Sequence, residues 1–191
     1  LWMTNLRWPD VLPIVREEWG HQALATKAAL EQITRPLVLF VEHDPPLVDA
    51  PIDWVGLEAV VLSGEFQMVR LHHEASILDV HRHLMLGDAP KLTHGVPIWP
   101  TAQWSQRPHL ATADFYRERV MPYFGEKSRT MIEDVMYGIV VNAHTDRGER
   151  GWYDWRLGVY CPEGESIKRS AHLDSRGNTP KGEMVIAYDG E

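Results

Sequence analysis

The chain has 191 residues, enough for one substantial core but not for two full domains. Its net charge of −8 argues against sequence-independent binding to nucleic acid or an anionic membrane, and no apolar run approaches the length of a bilayer span. The single cysteine, Cys161, excludes an internal disulfide framework and fits a reducing compartment, so a cytoplasmic location without stable membrane insertion is expected.

The chain opens on Leu1-Trp2-Met3 without a signal-peptide pattern and closes on Tyr188-Asp189-Gly190-Glu191 without a capping element, and it reads as a piece of a longer protein. Residues 17 to 33 read as a helix, with Ala23, Leu24, Ala28, Leu30 and Ile33 on its apolar face. Pro36 ends it, because the residue before a proline is pushed out of the α region. A strand over 37–43 follows at once, a tight connection of the kind found in layered α/β domains. Its run Leu37 to Val41 is apolar on both faces, which predicts a central position in a covered sheet. A proline-punctuated loop over 45–53 leads to a short helix, Trp54 to Ser63, and to a strand over 66–72. A turn of helix is expected around Ile77 to Leu86 and an extended segment from Pro97 to Trp104. Helices are predicted over 110–124, on Leu110, Phe115, Val120 and Phe124, and over 129–143, on Met131, Val135, Met136, Ile139 and Val140. Beyond Gly148 the pattern turns to short strands, Arg156 to Tyr160 and Ser166 to Arg169.

Four groups of residues could carry chemistry. The first is Glu42-His43-Asp44 at the tip of the strand over 37–43. Side chains alternate along a strand, so Glu42 and Asp44 leave on one face, and paired carboxylates suit a hard divalent cation with phosphate co-ligands. The plain alternative is an acidic strand-to-loop corner. The second is Glu133-Asp134 near the start of the helix over 129–143, where carboxylates either stabilise the first turn or act as a general base. The third is the histidine-rich stretch His72-His73-Glu74 with His81 and His83, which invites a metal-hydrolase reading yet lacks zinc-type spacing. The fourth is Trp99 to Pro108, where tryptophans mixed with Gln, Ser and Arg could form a carbohydrate-binding surface. There is no phosphate-binding glycine loop and no nucleophile elbow, and Cys161 has no adjacent base.

The order of these elements resembles the GT-A glycosyltransferases, specifically the family-2 inverting enzymes of bacteria and phages. It rests on a helix opening Gly20-His21-Gln22-Ala23 with Lys27 half-way along, an apolar strand ending Glu42-His43-Asp44, and a helix start Ile132-Glu133-Asp134. The resemblance covers about residues 17 to 143. It implies a Rossmann-like mixed sheet flanked by helices, a partial catalytic domain over 1–147 with its N-terminal strands missing, and a small β-rich extension over 148–191. It further implies a nucleotide-sugar donor, a carbohydrate or other hydroxyl acceptor (a modified nucleic-acid base included), and Mn²⁺ or Mg²⁺. Asp44 and Glu42 would hold the cation with His172, and Lys27 would approach the donor. Asp134 would be the base with Glu133 beside it, and Trp104, Gln106 and Arg107 would lie near the acceptor. The chain departs from the family in having E-H-D for D-x-D, Lys27 where Arg is usual, and no counterpart of the first strands before residue 17 beyond Leu1 to Trp8. A histidine-based metal hydrolase and a non-catalytic carbohydrate-binding module are the alternatives.

Overall fold

Helix α1 (His21–Gln32) stops short of Pro36, and strand β1 (Leu37–Phe40) begins directly after it. The computed structural model describes residues 11–42, 45–162 and 167–171, so Asp44 and His172 lie outside the described residues. Helix α2 (Trp54–Leu62) is capped by Asp53, whose carboxylate accepts from Gly56 N at 2.9 Å. Strand β2 (Met68–Leu71) is buried along its whole length. A 3₁₀ turn, Asp79–Leu84, precedes the hairpin of β3 (Lys91–Thr93) and β4 (Val96–Thr101). His94 and Gly95 both have positive φ (50° and 82°), the requirement of a two-residue hairpin turn whose twist matches the strands. Strand β5 (His109–Thr112), a π-type turn (Phe115–Val120) and a 3₁₀ turn (Met121–Tyr123) lead to α3 (Ile132–Arg147), α4 (Glu149–Trp155) and β6 (Leu157–Tyr160).

The described strands form one mixed sheet in the order β1-β5-β2-β6-β4-β3, in which only β2 and β6 run parallel. Alternation along β2 sends Met68 and Arg70 to one face, Val69 and Leu71 to the other. Met68 packs in a core with α1 (Ala23, Leu30) and α3 (Ile132, Met136, Val140), together with Trp104, Phe115 and Tyr116. Val69 and Leu71 pack with Leu57, Val60 and Val61 of α2. Helices therefore cover both faces, a layered α/β arrangement. No helix among the described residues is long and apolar enough to cross a membrane.

Several expectations change. Residues 110–112 are strand rather than helix: Leu110 and Ala111 pair with β1 on one side and β2 on the other, and burial on both faces outweighs local helical spacing. The helical turn starts later, where Thr112 Oγ1 accepts from Phe115 N at 3.0 Å. Strand β1 is an edge strand among the described residues, with Leu39 42% exposed, because β5 rather than β1 takes the inner place. Residues 17–20 precede α1 instead of belonging to it, and α4 occupies the stretch expected to be strand or loop. Within the expected β-rich extension over 148–191, β6 joins the main sheet between β2 and β4 and Ile167 to Arg169 form no strand, while residues 163–166 and 172–191 lie outside the described residues.

The α3–α4 corner is tight. A Cβ on Gly151 would sit 1.8 Å from the Ala143 carbonyl oxygen, whereas one on Gly138 in α3 would meet nothing within 4 Å. Gly151→Ala is expected to cost about 1–3 kcal/mol through overpacking, while Gly138→Ala stabilises by up to about 1 kcal/mol through helix propensity. Urea denaturation of the two variants checks this, and equal midpoints would contradict the packing described.

Candidate functional site

The carboxyl ends of β1, β2 and β6 and the amino end of β5 lie along one border of the sheet. Register places Phe40 beside His109, His109 beside Arg70, Arg70 beside Val159 and Val159 beside Trp99, a single row across five strands on one face. In open, mostly parallel α/β sheets ligands bind beyond strand carboxyl ends, and in this mainly antiparallel sheet β1, β2 and β6 present theirs at this border. The row is apolar except at its centre, where Arg70 (6% exposed) and His109 sit in the sheet itself.

Two helix N-termini meet at this border. Neither α1 nor α3 has a capping side chain of its own, so their first N–H groups need partners elsewhere. Ala23 N, in the first turn of α1, donates to Thr130 O at 3.2 Å. Ile132 N, the first of α3, donates to Gln22 Oε1 at 2.6 Å. The other end of the same amide, Gln22 Nε2, donates to Glu42 Oε1 just past β1. One side chain thus fixes the tip of β1 to the start of the Glu133-Asp134 helix.

A second network continues from Glu133. Its Oε2 accepts from Gln106 N at 3.0 Å. Gln106 Oε1 accepts from Trp104 Nε1 at 2.9 Å, and Gln106 Nε2 donates to the Tyr116 hydroxyl at 3.4 Å. His109 Nδ1 lies 2.6 Å from Arg107 O, and its Nε2 lies 2.5 Å from Tyr116 OH. A carbonyl can only accept, so the proton sits on Nδ1, and Nε2 takes the hydroxyl hydrogen of Tyr116. Every member then has a compatible role only while His109 is neutral. Burial, opposed by its bond to Arg107 O and reinforced by Arg70, pushes the His109 pKa down to about 4. Burial also raises Tyr116 well above the usual phenol range.

Arg70 Nη2 donates to Gln103 Oε1 at 3.3 Å. Burial and then the nearby Arg107 lower the Arg70 pKa to about 10, with Glu133 acting the other way. His72 Nε2 donates to Ser76 O at 3.2 Å, which leaves Nδ1 as a lone pair. Burial, helped by Arg70, holds the His72 pKa near 4; burial and then Arg107 hold His73 near 3. The 3.9 Å approach of His73 to Glu74 is therefore not an ion pair near neutrality, whereas Lys168 Nζ reaches Glu74 at 3.3 Å. The segment 167–171 straps the border. Arg169 N donates to His72 O at 3.2 Å, Val48 N to Arg169 O at 3.3 Å, and Ala171 N to Pro46 O at 3.0 Å. Ser170 Oγ donates to Leu71 O at 3.2 Å.

Of the expected site residues, Glu42, Gln106, Arg107 and Glu133 come together here. Asp134 is exposed on the first turn of α3, and Lys27 is half-buried on the α1 stripe shared with Ala23 and Leu30. Trp104 is fully buried and stacks on Phe115, so it presents no ring face to a sugar and contributes through Gln106. Asp44 and His172 fall outside the described residues, but the strap joins Ala171, next to His172, to Pro46, two positions after Asp44. Gln22, Arg70, His109 and Tyr116 are additional members; Arg70 is signalled in sequence only as a charge inside an apolar strand. No group of three potential ligands that could hold a metal occurs among the described residues, His72, His81 and His83 included. A cleft of about 430 Å³ beside the start of α1, lined by Arg16, Glu18, Leu24, Glu126, Lys127 and Arg129, contains none of these residues, and its lining is mostly exposed charge. Comparisons with protein-family models, curated proteins and solved structures return no match.

The buried neutral histidines make stability pH-dependent. The unfolded chain takes up protons near pH 6.5, while folded His72 and His109 resist to about 4 and His73 to about 3. Their contribution is complete above pH 6.5 and declines as pH falls through 4, each pH unit between the two pKa values being worth about 1.4 kcal/mol per group. Urea denaturation at pH 7, 6 and 5 should show a falling free energy whose slope is shallower in His109→Gln. A flat profile over that range would contradict the neutral assignments.

Proposed function

We propose that the chain carries the catalytic part of a metal-assisted, inverting glycosyltransferase that moves a sugar from a nucleotide-sugar donor to an acceptor hydroxyl. The observation that carries this reading is the Gln22 bridge. It sets the carboxylate after β1 and the acidic first turn of α3 at a fixed separation along a border where ligands bind in open α/β sheets. Glu42 offers oxygen donors with one carboxylate oxygen oriented by Gln22, which fits a hard divalent cation. Asp44 and His172, which lie outside the described residues, would be its further ligands as the family resemblance implies. Mn²⁺ or Mg²⁺ held by these three residues would supply Lewis-acid stabilisation of the departing nucleoside diphosphate.

Asp134, exposed at the start of α3, takes the proton of the acceptor hydroxyl as its oxygen bonds to the anomeric carbon from the face opposite the leaving group. The bond from the anomeric carbon to the diphosphate oxygen breaks in the same step, which inverts the centre. Glu133 orients the 103–107 loop through Gln106 N instead of taking the proton itself. Lys27 stands on the helix that carries Gln22 and would approach the donor from there. The described tryptophans at the border, Trp99 and Trp104, are buried, which does not favour a carbohydrate-binding module.

The full chain incubated with UDP-, GDP- or TDP-sugars and Mn²⁺ should release nucleoside diphosphate. Asp134→Asn should lower turnover by about a hundredfold or more with donor binding retained, and Glu42→Ala should weaken Mn²⁺-dependent donor binding. Full turnover by Asp134→Asn would remove the base assignment.

A further inference from the structure

We propose that His109 is a positioning residue, whose Nδ1–H pins the Arg107 carbonyl and so holds the 103–107 loop between β5 and the acidic start of α3. For acceptor binding by Arg107 this rests on the transferase reading above. The loop is gripped at adjacent peptide groups. Gln106 N donates to Glu133 Oε2 at 3.0 Å, and Arg107 O lies 2.6 Å from His109 Nδ1. The next carbonyl is tied to the sheet, since Leu71 N donates to Pro108 O at 2.8 Å. Glu133 neighbours Asp134 on the first turn of α3, so the same contacts set Arg107 relative to the proposed base. Arg107 is half-exposed at the border, whereas Gln106 and His109 are buried.

A buried imidazole is a costly way to fill this position. His109 is fully buried on β5, between β1 and β2, in a row that includes Phe40, Val159 and Trp99. An apolar side chain there would need no hydrogen-bond partners. Neutral histidine needs one acceptor and one donor around its ring, and both are supplied. Arg107 O accepts from Nδ1, and Tyr116 OH, 2.5 Å from Nε2, donates to it. The opposite tautomer would set the Nδ1 lone pair against the Arg107 carbonyl oxygen. Phe40 and Tyr116 stack on the imidazole at centroid distances of 5.1 and 5.8 Å, which fixes its plane. Tyr116 is itself tied to the loop, accepting from Gln106 Nε2 at 3.4 Å. Tautomer and ring plane are thus both set, and the ring passes that order to the loop backbone.

Two variants of the full chain separate a positioning role from simple packing. Asparagine can place an amide N–H where Nδ1–H stands, and glutamine an amide oxygen where Nε2 accepts. His109→Asn therefore keeps the bond to Arg107, and His109→Gln keeps the one from Tyr116. Relative to the amides of β2, NMR should show the Gln106 amide exchanging about tenfold faster in His109→Gln, the equivalent of one lost hydrogen bond. In His109→Asn the increase should be about threefold or less. In transfer assays His109→Gln should raise the acceptor KM about tenfold with kcat and donor KM within about twofold, and His109→Asn should restore it. Nitrogen-15 shifts of the unaltered chain at pH 7 should place the ring proton on Nδ1, a measurement that stands should a variant fail to fold. A proton on Nε2, equal loosening in the two variants, or an acceptor KM that does not separate them would overturn the assignment. Absence of any sugar transfer removes the transferase alone, and the tautomer and the exchange comparison then decide whether His109 holds the loop.

Discussion

The side-chain amide of Gln22 accepts from the first N–H of α3 and donates to Glu42, and the geometry of the whole border depends on that double use. Helix N-termini begin with orphan donors, and when two of them approach each other the donors need acceptors from the opposite segment. Here α1 and α3 supply one another: Thr130 O serves Ala23 N, and Gln22 serves Ile132 N. The positive ends of two helix dipoles consequently flank the carboxylate of Glu42, an arrangement that favours negative charge at the strand tip. The contact is local to each helix start, yet it joins residues 110 positions apart.

From that junction the order propagates through polar groups as well as through side-chain packing. Glu133 holds Gln106, Gln106 holds Trp104 and Tyr116, and Tyr116 holds His109, whose other nitrogen returns to the Arg107 carbonyl. A satisfied buried network of this kind specifies one arrangement, because any flipped amide or protonated imidazole leaves a buried group without a partner. Arg70 stands next to this network with an unmet Nε–H, and the contrast marks it. The strap over 167–171 closes the same border through Leu71 of β2, the adjacent His72, and the loop after β1 at Pro46 and Val48.

Much of the scaffold was legible in the sequence. Pro36 set the end of α1, the apolar run set β1, and periodicity located α2 and α3 within a few residues. Strand β5 was not legible, because Leu110, Phe115, Val120 and Phe124 are spaced like a helix and only pairing with β1 and β2 makes 109–112 extended. Helix α4 was hidden by Gly148 and Gly151, which read as loop but allow one helix to turn into the next at close range. Within the site, the acidic residues Glu42 and Glu133 could be picked out by type and position. Gln22, Arg70, His109 and Tyr116 could not, since each acquires its role from register or from a partner far along the chain. Trp104 showed the opposite limit: a tryptophan among polar residues reads as a binding platform until burial turns it into a hydrogen-bond donor for Gln106.

The central claim is that the tip of β1 and the start of α3 behave as one unit through Gln22. A double-mutant cycle on the full chain measures this directly, with Gln22→Ala, Glu42→Ala and the double variant compared by urea denaturation at pH 7. The account predicts a coupling energy of about 0.5–3 kcal/mol between the two positions, since they share a hydrogen bond. Additivity to within about 0.3 kcal/mol would contradict it.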